Sequence, residues 1–156
     1  MDDAALSRTF VLVHGGWRGG WCWQRVAERL RKRGHRVFAP TLTGLGERSH
    51  LRDSSVCLDT HVKDVLHVLQ SESLGDVVLV GHSYGGCVIS AVAEHAAASI
   101  GSIVFLDAFV PEDGESVADL AGENVRNALI AARSRGETNI APMPAAMFRV
   151  NEVDRA

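Results

Sequence analysis

The feature that most constrains this chain is a serine set directly between a strand and a helix. Residues 77–80 read Val-Val-Leu-Val, and Gly81-His82-Ser83-Tyr84-Gly85-Gly86 follows without a break. From residue 84 to residue 98 the sequence is small and apolar with few charges, which reads as a well-buried helix. A strand that becomes a helix across one residue must turn at Ser83 in a strained backbone conformation, with the hydroxyl raised above the sheet edge. The positions two before and two after crowd such a turn, and both are glycine, Gly81 and Gly85. The strand itself sets the kind of sheet. Four aliphatic residues with no polar alternation are buried on both faces, as in a parallel sheet covered by helices.

Three further runs have the same texture, at residues 10–13, 37–39 and 103–106. Helical patterns separate them. Residues 23–33 place Val26, Ala27 and Leu30 on one face, with Gly34 as the residue that stops the helix. Asp59 is placed as the N-cap of a helix carrying Val62, Val65, Leu66 and Leu69. The order of elements predicts an α/β fold, a parallel sheet with flanking helices and right-handed crossovers. After Pro111 the texture changes to a polar segment, helical from about residue 116 to 133, then an extended Pro-containing stretch at 141–144 and a helix start at 151–154. Residues 1–110 therefore read as one core unit and residues 111–156 as something added to it.

Composition excludes several function classes. Lys and Arg number 16 against 19 Asp and Glu, a net charge of −3. That balance gives no electrostatic case for nucleic acid or an anionic membrane surface. Hydrophobic residues at 46% and charged residues at 22% fit a soluble globular domain. No apolar run reaches the roughly 18 residues of a membrane span. The start Met1-Asp2-Asp3 does not read as a signal peptide. Cys22, Cys57 and Cys87 form no C-x-x-C pair, so the expectation is reduced thiols in a cytoplasmic protein, with neither zinc nor disulfides.

Two motifs carry chemistry. Gly81-His82-Ser83-Tyr84-Gly85 is the G-x-S-x-G nucleophile elbow in its required strand–turn–helix setting, with Ser83 as the candidate nucleophile. His14-Gly15-Gly16-Trp17 follows the first strand, where an H-G-G loop donates a backbone N–H to an oxyanion. Gly16 is the candidate upstream donor and Tyr84, the residue after the nucleophile, the second. A dinucleotide fingerprint fits poorly, because His14-x-Gly16-x-x-Gly19 has two of three glycines and no acid ends the second strand. A phosphate-binding loop lacks its G-K-[ST].

The runs HGGWRGGWCWQRVAERLRKRGHRVFAPTLTGLGERSHL, DTHVKDV, VVLVGHSYGG and IVFLDAFVPEDG resemble the α/β-hydrolase superfamily, specifically bacterial esterases close to plant methylesterases and hydroxynitrile lyases. The resemblance covers about residues 9–156. It implies a Ser-His-Asp triad, with residues 111–156 as the beginning of a mobile helical cap. Triad order in this fold is Ser, acid, His. All seven histidines precede residue 96, so the base is expected outside this chain. His82 is read as packing away from Ser83, His14 as bracing the oxyanion loop, and His35, His50 and His95 as surface or loop residues. His61 and His67 fall on different faces of one helix and make no metal pair. Asp107, ending the strand at 103–106, is the candidate acid, against an acid one strand later; Asp113 and Asp119 are poorer candidates. Trp17, Trp21 and Trp23 read as loop and core anchors, with Trp17 also a candidate for the substrate pocket. Glu47 and Arg48 read as a solvated pair.

The whole fold needs about two more βα units of about 30 residues each. The chain is therefore expected to be a C-terminally incomplete esterase, a natural half completed by another polypeptide, or a non-catalytic pseudoenzyme acting as an interaction protein. The strand at 103–106 is expected at an exposed sheet edge, open to a second copy or a complementing chain. The function this points to is a serine carboxylesterase for a small or medium apolar ester, needing neither metal nor organic cofactor. The rival is a hydroxynitrile lyase. Those lyases carry a hydroxyl-bearing residue after the loop histidine, where this chain has Gly15.

Overall fold

The computed structural model describes residues 7–137, and in them the four apolar runs become β1 (Thr9–Val13), β2 (Arg36–Phe38), β3 (Val77–Ser83) and β4 (Ile100–Ala108). The strands lie in the order β2-β1-β3-β4, every neighbouring pair parallel. Helices α1 (Gln24–Lys32), α2 (Leu58–Ser71) and α3 (Gly85–Ala96) return the chain between strands. The sheet makes two cores. Val11, Val13, Val77 and Leu79 meet Val62, Val65 and Leu69 of α2 and Val88, Ile89 and Val92 of α3. Leu12, Val78, Val80 and Val37 meet Trp23 and Ala27 on the α1 side. Successive residues of β1 and β3 thus point into opposite cores, which is why neither strand alternates in polarity.

Local signals place the helix ends, with one correction. Gly34, at φ +84°, stops α1 in a double hydrogen-bonded turn: Gly34 N–H donates to Arg31 C=O at 2.9 Å and His35 N–H to Leu30 C=O at 3.2 Å. Helix α2 is capped by Cys57, not by Asp59. The Cys57 N–H donates to Thr60 Oγ1 at 3.3 Å, and Asp59 sits inside the first turn, where its charge faces the positive end of the helix. The segment expected as one helix from about 116 to 133 is two, α4 (Val117–Leu120) and α5 (Glu123–Ser134), parted at Gly122 with φ +85°. The readings of 141–144 and 151–154 lie outside the described residues.

Strand β4 forms one edge of the sheet among the described residues, the place expected for it in an incomplete fold. It is paired to β3 on one side, and Ile103, Val104, Phe105 and Leu106 are 39–48% exposed.

Candidate active site

The carboxyl ends of β1, β3 and β4 lie side by side, and a non-glycine residue with left-handed backbone lies at or near each: Trp17, in the loop that follows β1, at φ +60°, Ser83, the last residue of β3, at +53°, and Asp107, next to last in β4, at +44°. Such angles cost an L-residue free energy and persist only where the surroundings hold them. At Ser83 the glycines do so. A Cβ on Gly81 would stand 2.6 Å from the Gly85 carbonyl oxygen, and one on Gly85 the same distance from Val13 O. The turn closes because these positions lack side chains, and α3 starts immediately behind it with Tyr84 as its N-cap. An N-terminal helix N–H has no partner within its helix and carries the positive end of the dipole.

The loop after β1 is held against this turn from below. His14 is fully buried; its Nε2 accepts the Leu42 N–H at 3.0 Å, so its Nδ1 carries the proton and donates to Gly15 C=O at 2.7 Å. Burial holds the imidazole below its ordinary pKa and neutral. His14 thereby braces the loop, as the sequence suggested. A Cβ on Gly15 would lie 2.9 Å from Ser83 Cβ, whereas one on Gly16 meets nothing within 4 Å. Gly16 is thus open where Gly15 is closed. Of the tryptophans, Trp23 is a core residue, while Trp17 and Trp21 are exposed.

Asp107 occupies an irregularity in the β3–β4 pairing. His82 lies opposite Leu106 and Ser83 opposite Ala108, so Asp107 is skipped, and Phe109 N–H then donates to Ser83 C=O at 3.1 Å. The Asp107 carboxylate acts on His82, whose pKa is lowered by burial and the Arg18 guanidinium against the pull of Asp107. His82 shares its face with Val78 and Val80 and meets Trp23 edge-on, ring centroids 6.3 Å apart. It faces a cleft of about 240 Å³ on the α1 side, lined also by Arg18, Cys22, Val26 and Leu106. Asp119 is taken up elsewhere, accepting the Ser116 N–H at 2.9 Å and pairing with Arg126 at 3.7 Å.

Two residues read as a solvated pair are instead wired into the loop after β2. Arg48 donates to Thr41 C=O at 2.8 Å and pairs with Asp64 at 3.4 Å. Thr41 accepts the Gly20 N–H at 2.7 Å and bonds the Glu47 carboxylate, whose pKa it lowers. Sequence reasoning also missed what His61 does. Its Nδ1 lies 2.8 Å from the Tyr84 hydroxyl and its Nε2 lies 2.9 Å from Thr43 C=O. Nothing local announces this contact, which joins a helix, a loop and the elbow across 23 residues of chain.

Comparison with known proteins agrees with this geometry. The model of the alpha/beta hydrolase family matches residues 10–155. A carbendazim hydrolyzing esterase of Nocardioides sp. (strain SG-4G) is 58% identical over 108 residues, 69% of this chain and 45% of that protein. Putative methylesterase 11, chloroplastic, of Arabidopsis thaliana is 36% identical over 146 residues, 89% of this chain and 37% of its own length. An extracellular alpha/beta-hydrolase from a Paenibacillus species superimposes with a TM-score of 0.80 at 36% identity, over 91% of this chain and 57% of that one. The chain thus spans less than half the length of these two curated relatives. Its strand order, its strained serine and its family match agree: the chain belongs to the alpha/beta hydrolase family.

Proposed function

We propose that this chain carries the nucleophile half of a serine carboxylesterase for a small or medium, largely apolar ester. The observation behind this reading is Ser83 in left-handed backbone at the tip of β3, with α3 starting behind it and Gly15 pressed against its Cβ. In this mechanism Ser83 Oγ attacks the ester carbonyl, and the N–H groups of Gly16 and Tyr84 hold the oxyanion, aided by the positive end of α3. A histidine base takes the serine proton and passes it to the departing alcohol, leaving an acyl group on Ser83 that water then releases as the acid. The base comes from outside these 156 residues, since His14 and His61 have both ring nitrogens engaged and His82 faces α1. Asp107, or a carboxylate one strand further, orients it. Residues 111–156 begin the cap, and Trp17 lines the acyl side. No metal or organic cofactor enters the chemistry.

The relatives' names, a carbendazim hydrolyzing esterase and methylesterases, make methyl esters of apolar acids the first substrates to try. A hydroxynitrile lyase is disfavoured, because the hydroxyl-bearing residue it needs at Gly15 would crowd Ser83 Cβ. The test is cleavage of p-nitrophenyl acetate by the natural protein together with covalent labelling by a serine-directed phosphonate. Ser83→Ala should abolish both; labelling elsewhere, or cyanide release from mandelonitrile without ester cleavage, refutes the esterase. Asp107→Asn decides the acid: a loss of about 10⁴-fold in kcat identifies Asp107, and near-wild-type activity assigns the role beyond β4.

A further inference from the structure

We propose that His61 is a positioning residue for ester cleavage: through the Tyr84 hydroxyl it fixes the peptide that holds the oxyanion, and it ties that peptide to the loop after β2. The proposal rests on the reading of the Tyr84 N–H as an oxyanion donor. The direction of the hydrogen bonds follows from the partners. Thr43 C=O can only accept, so the proton of His61 sits on Nε2, 2.9 Å away. Nδ1 is then an acceptor, and the Tyr84 hydroxyl donates to it at 2.8 Å. The two rings meet edge-on, centroids 5.6 Å apart and planes at 79°.

The far end of the relay is held as firmly. Thr43 donates its N–H and its hydroxyl to the two oxygens of Asp64, at 2.6 and 2.8 Å. Asp64 lies three residues beyond His61 on α2, so one face of that helix grips Thr43 twice. Arg48 closes the set on Asp64 and Thr41 C=O. The side chain of Tyr84 is therefore tethered to α2 while its backbone caps α3 beside Ser83.

Packing alone does not account for this. His61 is 7% exposed, and burying an imidazole with directed bonds at both nitrogens is costlier than burying a phenyl ring of similar size. The beneficiary is a donor at a helix terminus, a place that otherwise frays. An oxyanion donor acts only when held close to the position of the developing charge.

The test compares His61→Phe, His61→Asn and Tyr84→Phe in the natural protein, with p-nitrophenyl acetate as substrate and a trifluoromethyl ketone as the tetrahedral mimic. His61→Phe and Tyr84→Phe should each lower kcat by about 10-fold to 100-fold with KM within about twofold. The inhibition constant of the ketone should rise by the factor that kcat/KM falls. His61→Asn keeps an acceptor near Nδ1 and should recover most of the loss. The double variant His61→Phe/Tyr84→Phe should be no worse than either single one. Unchanged kcat in His61→Phe, an unmoved inhibition constant, or multiplied losses in the double variant would overturn the proposal. Tyr84→Phe removes one oxygen, and it decides the matter if His61→Phe does not fold. A wild-type protein that neither cleaves ester nor is labelled at Ser83 overturns the esterase reading and this one with it; activity that survives His61→Phe overturns this one alone.

Discussion

At the scale of residues, two adjacent glycines behave oppositely. Gly15 is closed on by Ser83 Cβ, and Gly16 faces open space. Gly15→Ala must move the elbow by tenths of an ångström and should reduce ester cleavage by about 10-fold to 100-fold, whereas Gly16→Ala should stay within about threefold. Equal effects of the two changes on kcat/KM would show that the space around the loop does not control it. This distinction is absent from the string His14-Gly15-Gly16, where the glycines look equivalent. Ser83 was legible because its strain is written in flanking glycines. The relay through His61 was not, since each of its bonds joins residues far apart in the chain and obeys no periodicity.

At the scale of elements, strands and helices were legible wherever both faces of a strand or one face of a helix are buried, because burial imposes the pattern. Ends were legible where a backbone angle demands a residue type. Gly34 is such a case: its φ of +84° leaves room for a Cβ but not for its comfort. Gly34→Ala should therefore destabilise the fold by about 1 kcal/mol while leaving Ser83 labelling unchanged, as read by urea denaturation and by phosphonate uptake. Cys57 was overlooked as a cap because Asp59, two residues on, is the better capping type. The loop after β2 was opaque for another reason. Its order comes from Thr41, Thr43, Glu47 and Arg48 bonding to distant partners, and a loop without periodicity gives no sign of which polar residues are engaged.

At the scale of the whole molecule, two buried imidazoles link stability to pH. Burial holds His14 and His61 below the ordinary value of 6.5 in the folded state. The unfolded chain takes up protons at these residues as pH falls through 6.5, and the folded chain does not until lower pH. Stability should therefore be full above that value and decline below it, by at most about 1.4 kcal/mol per pH unit for each histidine. Denaturation midpoints measured from pH 7.5 to 5 check the sign, and a midpoint that rises on acidification contradicts it. The exposed strand β4 has its own consequence, in hydrogen exchange. Along a strand, backbone amides point alternately to its two sides, and among the described residues β4 has a partner strand only in β3. In deuterated water the amides of residues 102–106, between the two irregularities of the pairing, should divide by parity into a slow set that donates to β3 and a fast set that faces outward. Any strand later added along that edge would slow the fast set alone, so the exchange pattern of residues 102–106 records whether the sheet has been extended.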